Sequence, residues 1–320
     1  MSEFHIRYGG YGGIGYYIVS DTYVALYSRF ITCGSYEGHY ILDLCLENAS
    51  EIRPTYLHGD THAQNYVAFG LAPFLGAKLM PRIRRFKELN LYRPSQKKSY
   101  KHIDALFNRS IKWDLIERHY RDILRYVISM KLGRITPSTI LRRFNNKSQK
   151  NKIHDAMHEM GAAYRTIYLL EYIEDPRMRK AVSAAANKSE AYNYFTKWAF
   201  FANDGLIDET IRHEQQKLIR YNHAVANMIM FHNVQQMQRI LVELRGEGRE
   251  ITPEMIEALG PYRTKHINRL GQHNVDTSRS TEALKRGSQI PLSRVLGHQR
   301  PGQNRHAWMA KDASKQRVAS

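Results

Sequence analysis

Three stretches of the chain carry side chains that could handle charged oxygen or a metal ion. The first is LHGDTHAQ, in which His58, Asp60 and His62 occupy alternate positions. On a continuing strand alternate residues share a face, so the three could hold one metal ion such as zinc. The plainer alternative is a strand end at which Asp60 caps a turn. The second stretch, KLMPRIRRFKELNLYRPSQKKSYK (78–101), sets Lys78, Arg82, Arg84, Arg85, Lys87, Arg93, Lys97, Lys98 and Lys101 against Glu88 alone. Such a strip neutralises phosphates without reading sequence, and the interleaved Phe86, Tyr92 and Tyr100 offer surfaces on which bases can stack. The third, AANKSEAYNYFTKWAFFA (185–202), has helical spacing, with Tyr194, Trp198 and Phe201 on one stripe and Glu190 between Lys188 and Lys197. A lone glutamate in a first helical turn normally complements the helix dipole. Gly10, Gly12 and Gly15 in GGYGGIG fit the letters of G-x-G-x-x-G, but a β-rich segment follows them where a dinucleotide site needs a helix. They are expected to form a flexible loop.

The elements that must position these residues follow from periodicity. IGYYIVS (14–20) and TYVALYSRFIT (22–32) are rich in β-branched and aromatic residues and break at Asp21, which predicts a hairpin. SYEGHYILDLCLENAS has helical spacing through Tyr40, Ile41, Leu44 and Cys45, with Ser35 as the N-cap. A strand over 55–60, a helix over 65–75 ended by Gly76 and a strand over 77–83 follow. From residue 112 the period becomes helical, through Trp113, Ile116, Ile123, Val127 and Met130, then 136–144 and 157–173. A long stripe runs from Leu218 to Leu244 through Val225, Ile229, Met237 and Ile240. These stripes read as packing faces.

Composition narrows the partner. The 320 residues include 48 Lys plus Arg against 30 Asp plus Glu, a net charge of +18, which favours a polyanion. The aromatic residues are spread through folded-looking segments rather than gathered on one amphipathic helix, so nucleic acid is favoured over a membrane surface. No run of 18 apolar residues and no signal peptide is visible, so the expected site is cytoplasmic. Cys33 and Cys45 lack a CxxC partner and read as reduced core thiols. Residues 276–320 form a basic tail, expected to be disordered.

Taken together, YIVSDTYVALYSRFITCG, YILDLCLENASEIRPTYLHGDT, FGLAPFLGAKLMPRIRRFKELNLYRP, YKHIDALF, IKWDLIERH, GRITPSTILRRF, NKSEAYNYFTKWAFF, KLIRYNHAVANMIMFHNV and PYRTKHINRLGQH resemble the C-terminal catalytic region of the Tn-three family of replicative transposases. These belong to the DDE class. The resemblance covers roughly 8–275 and implies an α/β domain over 1–275. Its RNase H-like sheet would be partial, without an opening strand, and a large helical insertion would occupy about 84–185.

The resemblance also implies that the aspartate of HGDT and the glutamate of NKSEA, Asp60 and Glu190, are the second and third catalytic carboxylates. Together they would hold two Mg²⁺ (or Mn²⁺) ions for in-line attack at phosphorus. This demotes the zinc reading of His58, Asp60 and His62. Implied partners are DNA, both transposon ends and target, and an intact transposase relative as oligomer. The strip from Lys78 to Lys98 with Lys188 and Lys197 would touch DNA. The first catalytic aspartate is expected upstream of the YGGYGGIGYY segment, and neither Asp21 nor Asp43 replaces it, so the chain is expected to be impaired alone. The alternative reading is a catalytically dead DNA-binding module that interferes with an intact relative.

Overall fold

The computed structural model describes residues 3–5, 10–48, 51–85, 89–145, 151–200, 207 and 209–269. The chain divides into two compact units, Met1–Ala224 and Val225–Ser320.

In the first unit β1 (Glu3–His5), β2 (Gly10–Val19) and β3 (Ala25–Thr32) form an antiparallel sheet in that order. The β2–β3 register runs from Gly13 opposite Thr32 to Val19 opposite Ala25. The turn at its tip is closed by Ser20, whose N–H donates to the Val24 carbonyl at 2.7 Å and whose hydroxyl accepts the Val24 N–H at 3.1 Å. The glycine-rich segment is therefore a strand rather than the expected loop. The reason lies across the sheet: the buried Phe30 ring fills the space that a Cβ at Gly13 would need, and a Cβ at Gly15 would stand 3.1 Å from the Ile219 side chain. Glycine here lets side chains from opposite elements close over the strand.

Alternation sends successive tyrosines of β2 to opposite faces. Tyr16 meets Tyr40 at 6.2 Å between ring centroids, whereas Tyr17 meets Tyr192 at 5.4 Å. The segment after β3 was expected as one helix but folds as a 3₁₀ turn over Glu37–Tyr40 and a single α-turn, α1 (Leu44–Glu47). Ser35 does not cap it; its hydroxyl pairs with Thr32 at 2.7 Å. Asp43, between the two turns, is fully buried, bonded to Arg29 at 2.7 Å and to the Ser138 N–H at 2.8 Å. It ties β3 to the start of α4 (Pro137–Asn145). Both cysteines are half-buried rather than in the core.

A second, parallel pair follows: β4 (Tyr56–Gly59) and β5 (Lys78–Pro81), in register from Tyr56 opposite Lys78 to Gly59 opposite Pro81. The crossover between them is α2 (Tyr66–Leu71), capped by Asn65, whose side-chain oxygen accepts the Val67 N–H at 2.8 Å. Gly76 ends the connection with φ 80°.

The stretch expected as a helical insertion is helical only in part. β6 (Leu91–Arg93) and β7 (Phe107–Ser110) pair in parallel before α3 (Trp113–Lys131) begins. These strands are too short for a period-2 signal to stand out. α5 (Lys152–Glu174) carries the core of this region. A Cβ at Gly161 would run into the Tyr66 carbonyl, so glycine is what lets α5 and α2 touch backbone to backbone. The buried Tyr168 hydroxyl donates to the Pro81 carbonyl at 2.6 Å, pinning α5 beneath the end of β5.

α6 (Pro176–Ala199), capped by Asp175, packs against β2, β4 and α5. Its buried face is Tyr192, Phe195 and Thr196, and Tyr194, read on the apolar stripe, is 77% exposed. α7 (Arg212–Gly246) likewise departs from the expected stripe. Ile219, Asn222, Ala226, Met230 and Asn233 are buried, while Val225 and Ile240 are exposed. The buried amides explain the difference, because an asparagine enters a core when its bonds are met. Within the second unit Asn233 donates to the carbonyls of Pro261 and Arg263, each at 2.8 Å, below α8 (Pro253–Ala258). Among the described residues no helix is long and apolar enough to cross a membrane. The 276–320 tail lies outside them.

Candidate active site

Asp60 follows directly on the last residue of β4. Parallel pairing brings the carboxyl ends of β4 and β5 together, and in open α/β sheets that end is where ligands bind. The Arg82 N–H donates to the Gly59 carbonyl at 2.8 Å, so Arg82 leaves β5 beside Asp60. The Asp60 side chain caps the 3₁₀ turn Thr61–Ala63, one oxygen accepting the His62 N–H at 2.9 Å. The carboxylate itself is 60% exposed.

Because the strand stops at Gly59, the alternation that would have placed His58 and His62 on one face with Asp60 does not continue. His62 instead lies on the turn with its ring 4.0 Å from the free Asp60 oxygen. The capping arrangement is the one found, and among the described residues no group of three or more His, Cys, Asp or Glu could hold a metal ion.

The surroundings of Asp60 include a carboxylate that the sequence reading passed over. Glu37 is half-buried and its carboxyl is held above its usual range, by burial first and then by the Asp60 charge. Tyr36 and Tyr16 are raised for the same reasons, Tyr16 also by Glu37 and Asp43. The Tyr36 hydroxyl donates to the His62 carbonyl, fastening the two turns together. Glu37 falls between the quoted stretches of the resemblance, at a helix start, where an acid has an ordinary explanation.

Glu190 sits in the body of α6, exposed, and its carboxylate meets no partner among the described residues. α6 packs against β4, the strand that ends at Asp60, and presents Tyr192 to the Tyr17 face of β2. Asp60 is felt on the Tyr16 face. Helix α6 thus packs on the Tyr17 face of β2, whereas Asp60 lies nearer the Tyr16 face. Lys188 is engaged within the protein: its ammonium lies 4.1 Å from the Tyr23 ring centroid and donates to the Asp21 carbonyl. Lys197 is exposed in the last turn.

The basic strip divides into anchored and exposed parts. Lys78 pairs with Glu171 at 2.6 Å. Arg93 pairs with Asp104 at 3.2 Å and donates to the carbonyls of Lys98 and Phe107. Arg82 is half-buried; Arg84, Arg85, Lys97 and Lys98 are exposed. Lys87 lies outside the described residues.

This mixed α/β chain places Asp60 just past the end of a parallel strand and an exposed Glu190 on a helix packed against that strand. The profile of the Tn3 transposase DDE domain matches residues 1–273, and the chain belongs to that family. It is 28% identical over 275 residues to the transposase for transposon Tn1546 of Enterococcus faecium, covering 85% of this chain and 28% of that protein. To the transposase for transposon Tn21 of Escherichia coli it is 27% identical over 269 residues, covering 83% and 27%. The transposase for transposon Tn501 of Pseudomonas aeruginosa is 28% identical over 278 residues, covering 86% and 28%. The chain therefore spans less than a third of the length of these relatives. A DDE transposase domain generally implies use of a divalent metal.

Proposed function

We propose that this chain serves DNA transposition as the metal-dependent catalytic segment of a replicative transposase, acting on DNA in the bacterial cytoplasm. The observation that carries this is the family match over residues 1–273, with the HGDT aspartate exposed at a parallel strand end.

The donor chemistry fits Mg²⁺ or Mn²⁺. Asp60 and Glu190 offer exposed carboxylate oxygens, which hard cations prefer, and among the described residues neither forms an ion pair with Lys or Arg. When bound, two such ions activate the attacking oxygen and stabilise the leaving one at phosphorus. The chain's own residues do the rest. The His62 N–H orients Asp60 by holding one oxygen, which leaves the other to face solvent. Arg84, Lys97 and Lys98 meet DNA phosphates. Among the described residues β1 ladders only Gly10–Gly12 of β2, and in this reading the remaining edge, Gly13–Val19, receives the opening strand of an RNase H-like sheet.

The test is a chimera in which residues 1–273 replace the matching segment of a related transposase, assayed for Mn²⁺-dependent nicking of a transposon-end duplex. Nicking that is lost in both Asp60→Asn and Glu190→Gln supports the proposal. Nicking that survives both substitutions overturns it.

A further inference from the structure

A second concentration of charge lies between α2, β6, β7 and the middle of α5. Arg165, on α5, is only 6% exposed. Its guanidinium donates to the Tyr66 hydroxyl at 3.0 Å and, at 3.4 Å, to the Asn90 carbonyl and the Gln64 side chain. It also lies over the Tyr66 ring, 4.8 Å from the centroid. All these acceptors are neutral, and its Nε, fully enclosed, has no partner among the described residues. Arg109, on β7, is exposed and donates to the Tyr92 hydroxyl at 3.4 Å. The Tyr66 and Tyr92 rings stand 6.1 Å apart with their hydroxyls in hydrogen-bonding reach. Two guanidiniums are thus bridged by two phenols.

Nothing anionic among the described residues answers these two charges. The His158 ring lies 4.3 Å from Tyr66. Burial first, then His154 and Arg109, push its imidazole down to about 4, with Arg165 adding to this and Asp155 opposing it. Asp155, the nearby carboxylate, lies 3.3 Å from the His154 ring. Glu159 on the same helix accepts the Lys112 N–H at 3.1 Å. A buried cation without a counter-ion is strongly unfavourable, so its retention calls for an anion that arrives from outside. Paired guanidiniums with hydroxyl donors match the oxygens of a phosphate.

We propose that Arg109 and Arg165, with the Tyr66 and Tyr92 hydroxyls between them, form a binding site for a phosphate oxyanion, which in the working protein is a backbone phosphate of DNA. Arg109 is the exposed mouth of this site and Arg165 its floor. Only the source of the phosphate rests on the transposition reading.

The first arm of the test titrates inorganic phosphate into the purified chain by calorimetry at low salt. Loss of one charge-assisted bond is expected to weaken binding roughly tenfold or more in Arg109→Ala. Tyr92→Phe, which keeps the ring, is expected to weaken it less. Arg125→Ala, on an exposed residue paired with Asp122, is expected to leave it unchanged. Absence of phosphate binding by the wild-type chain, or equal affinity in wild type, Arg109→Ala and Tyr92→Phe, overturns the site.

The second arm measures affinity for a duplex oligonucleotide against salt. A slope smaller by ~0.9 in Arg109→Ala assigns the site to a DNA phosphate. An unchanged slope with phosphate binding lost overturns that assignment in favour of free phosphate. A wild-type chain that takes phosphate and has no DNA affinity sinks the transposition reading and keeps the oxyanion site.

Discussion

Asp43→Asn is the perturbation with the most determinate consequence. Asp43 is completely enclosed, and burial pushes its carboxyl up from 3.8 to about 6 even though the Ser138 hydrogen bonds and Arg29 pull it down. Between those two values the folded chain holds a proton on Asp43 that the unfolded chain has released. Stability on Asp43's account is therefore fully present below the unfolded value and is lost as pH rises through the folded one. At 1.36 kcal/mol per pH unit, the interval corresponds to about 3 kcal/mol. The asparagine cannot ionise and keeps the shape. Urea unfolding of both proteins, followed by tryptophan fluorescence from pH 4 to pH 7, gives the difference in their stabilities at each pH. The contribution of every other titrating group cancels in that difference. Wild type should lose about 2.4 kcal/mol relative to Asp43→Asn across the range, the rest of the interval being lost below pH 4. A difference that stays constant, or one that moves in favour of wild type as pH rises, would refute the reasoning and place Asp43 as an ordinary low-pKa partner of Arg29.

Two further outcomes are expected. Gly13→Ala drives a methyl into the Phe30 ring and should destabilise the chain by roughly 1–3 kcal/mol, with Phe30→Leu in the same chain recovering part of the loss; equal melting temperatures for Gly13→Ala and wild type would contradict this. Alanine at Arg84, Lys97 or Lys98 should each lower the salt slope of duplex binding by up to ~0.9, whereas Lys78→Ala should leave it unchanged because Glu171 already holds that ammonium. The reverse ranking would mean that the anchored half of the strip is the half that meets DNA.

The hairpin, the strand ending at Asp60 and the long helices were legible because each carries a strong period or a definite stop signal, such as the glycine after α2. The glycine-rich strand was not. Its packing comes from Phe30 and Ile219, residues remote in sequence, and glycine's local preference says loop. The 35–48 stretch has helical spacing, yet Asp43 buried against Arg29 and Ser138 holds it in two short turns. Buried Asn222 and Asn233 shifted the inward face of α7, since hydrogen-bond satisfaction is invisible to a pattern of apolar residues. At the site, Asp60 at a strand end could be read from spacing and turn chemistry. Glu190 could not: an exposed glutamate on a helix has no local signature, and only the family resemblance singled it out. Glu37 was missed because its nearness to Asp60 depends on two turns that meet through the Tyr36 hydroxyl.

The claim on which the functional account turns is that Asp60 and Glu190 share divalent metal. Mn²⁺ binding to the purified chain, read by electron paramagnetic resonance in wild type, Asp60→Asn and Glu190→Gln, tests it most directly. The account predicts that each substitution weakens Mn²⁺ binding by roughly tenfold or more, with the fold unchanged by circular dichroism. Mn²⁺ bound equally well by all three proteins would contradict it.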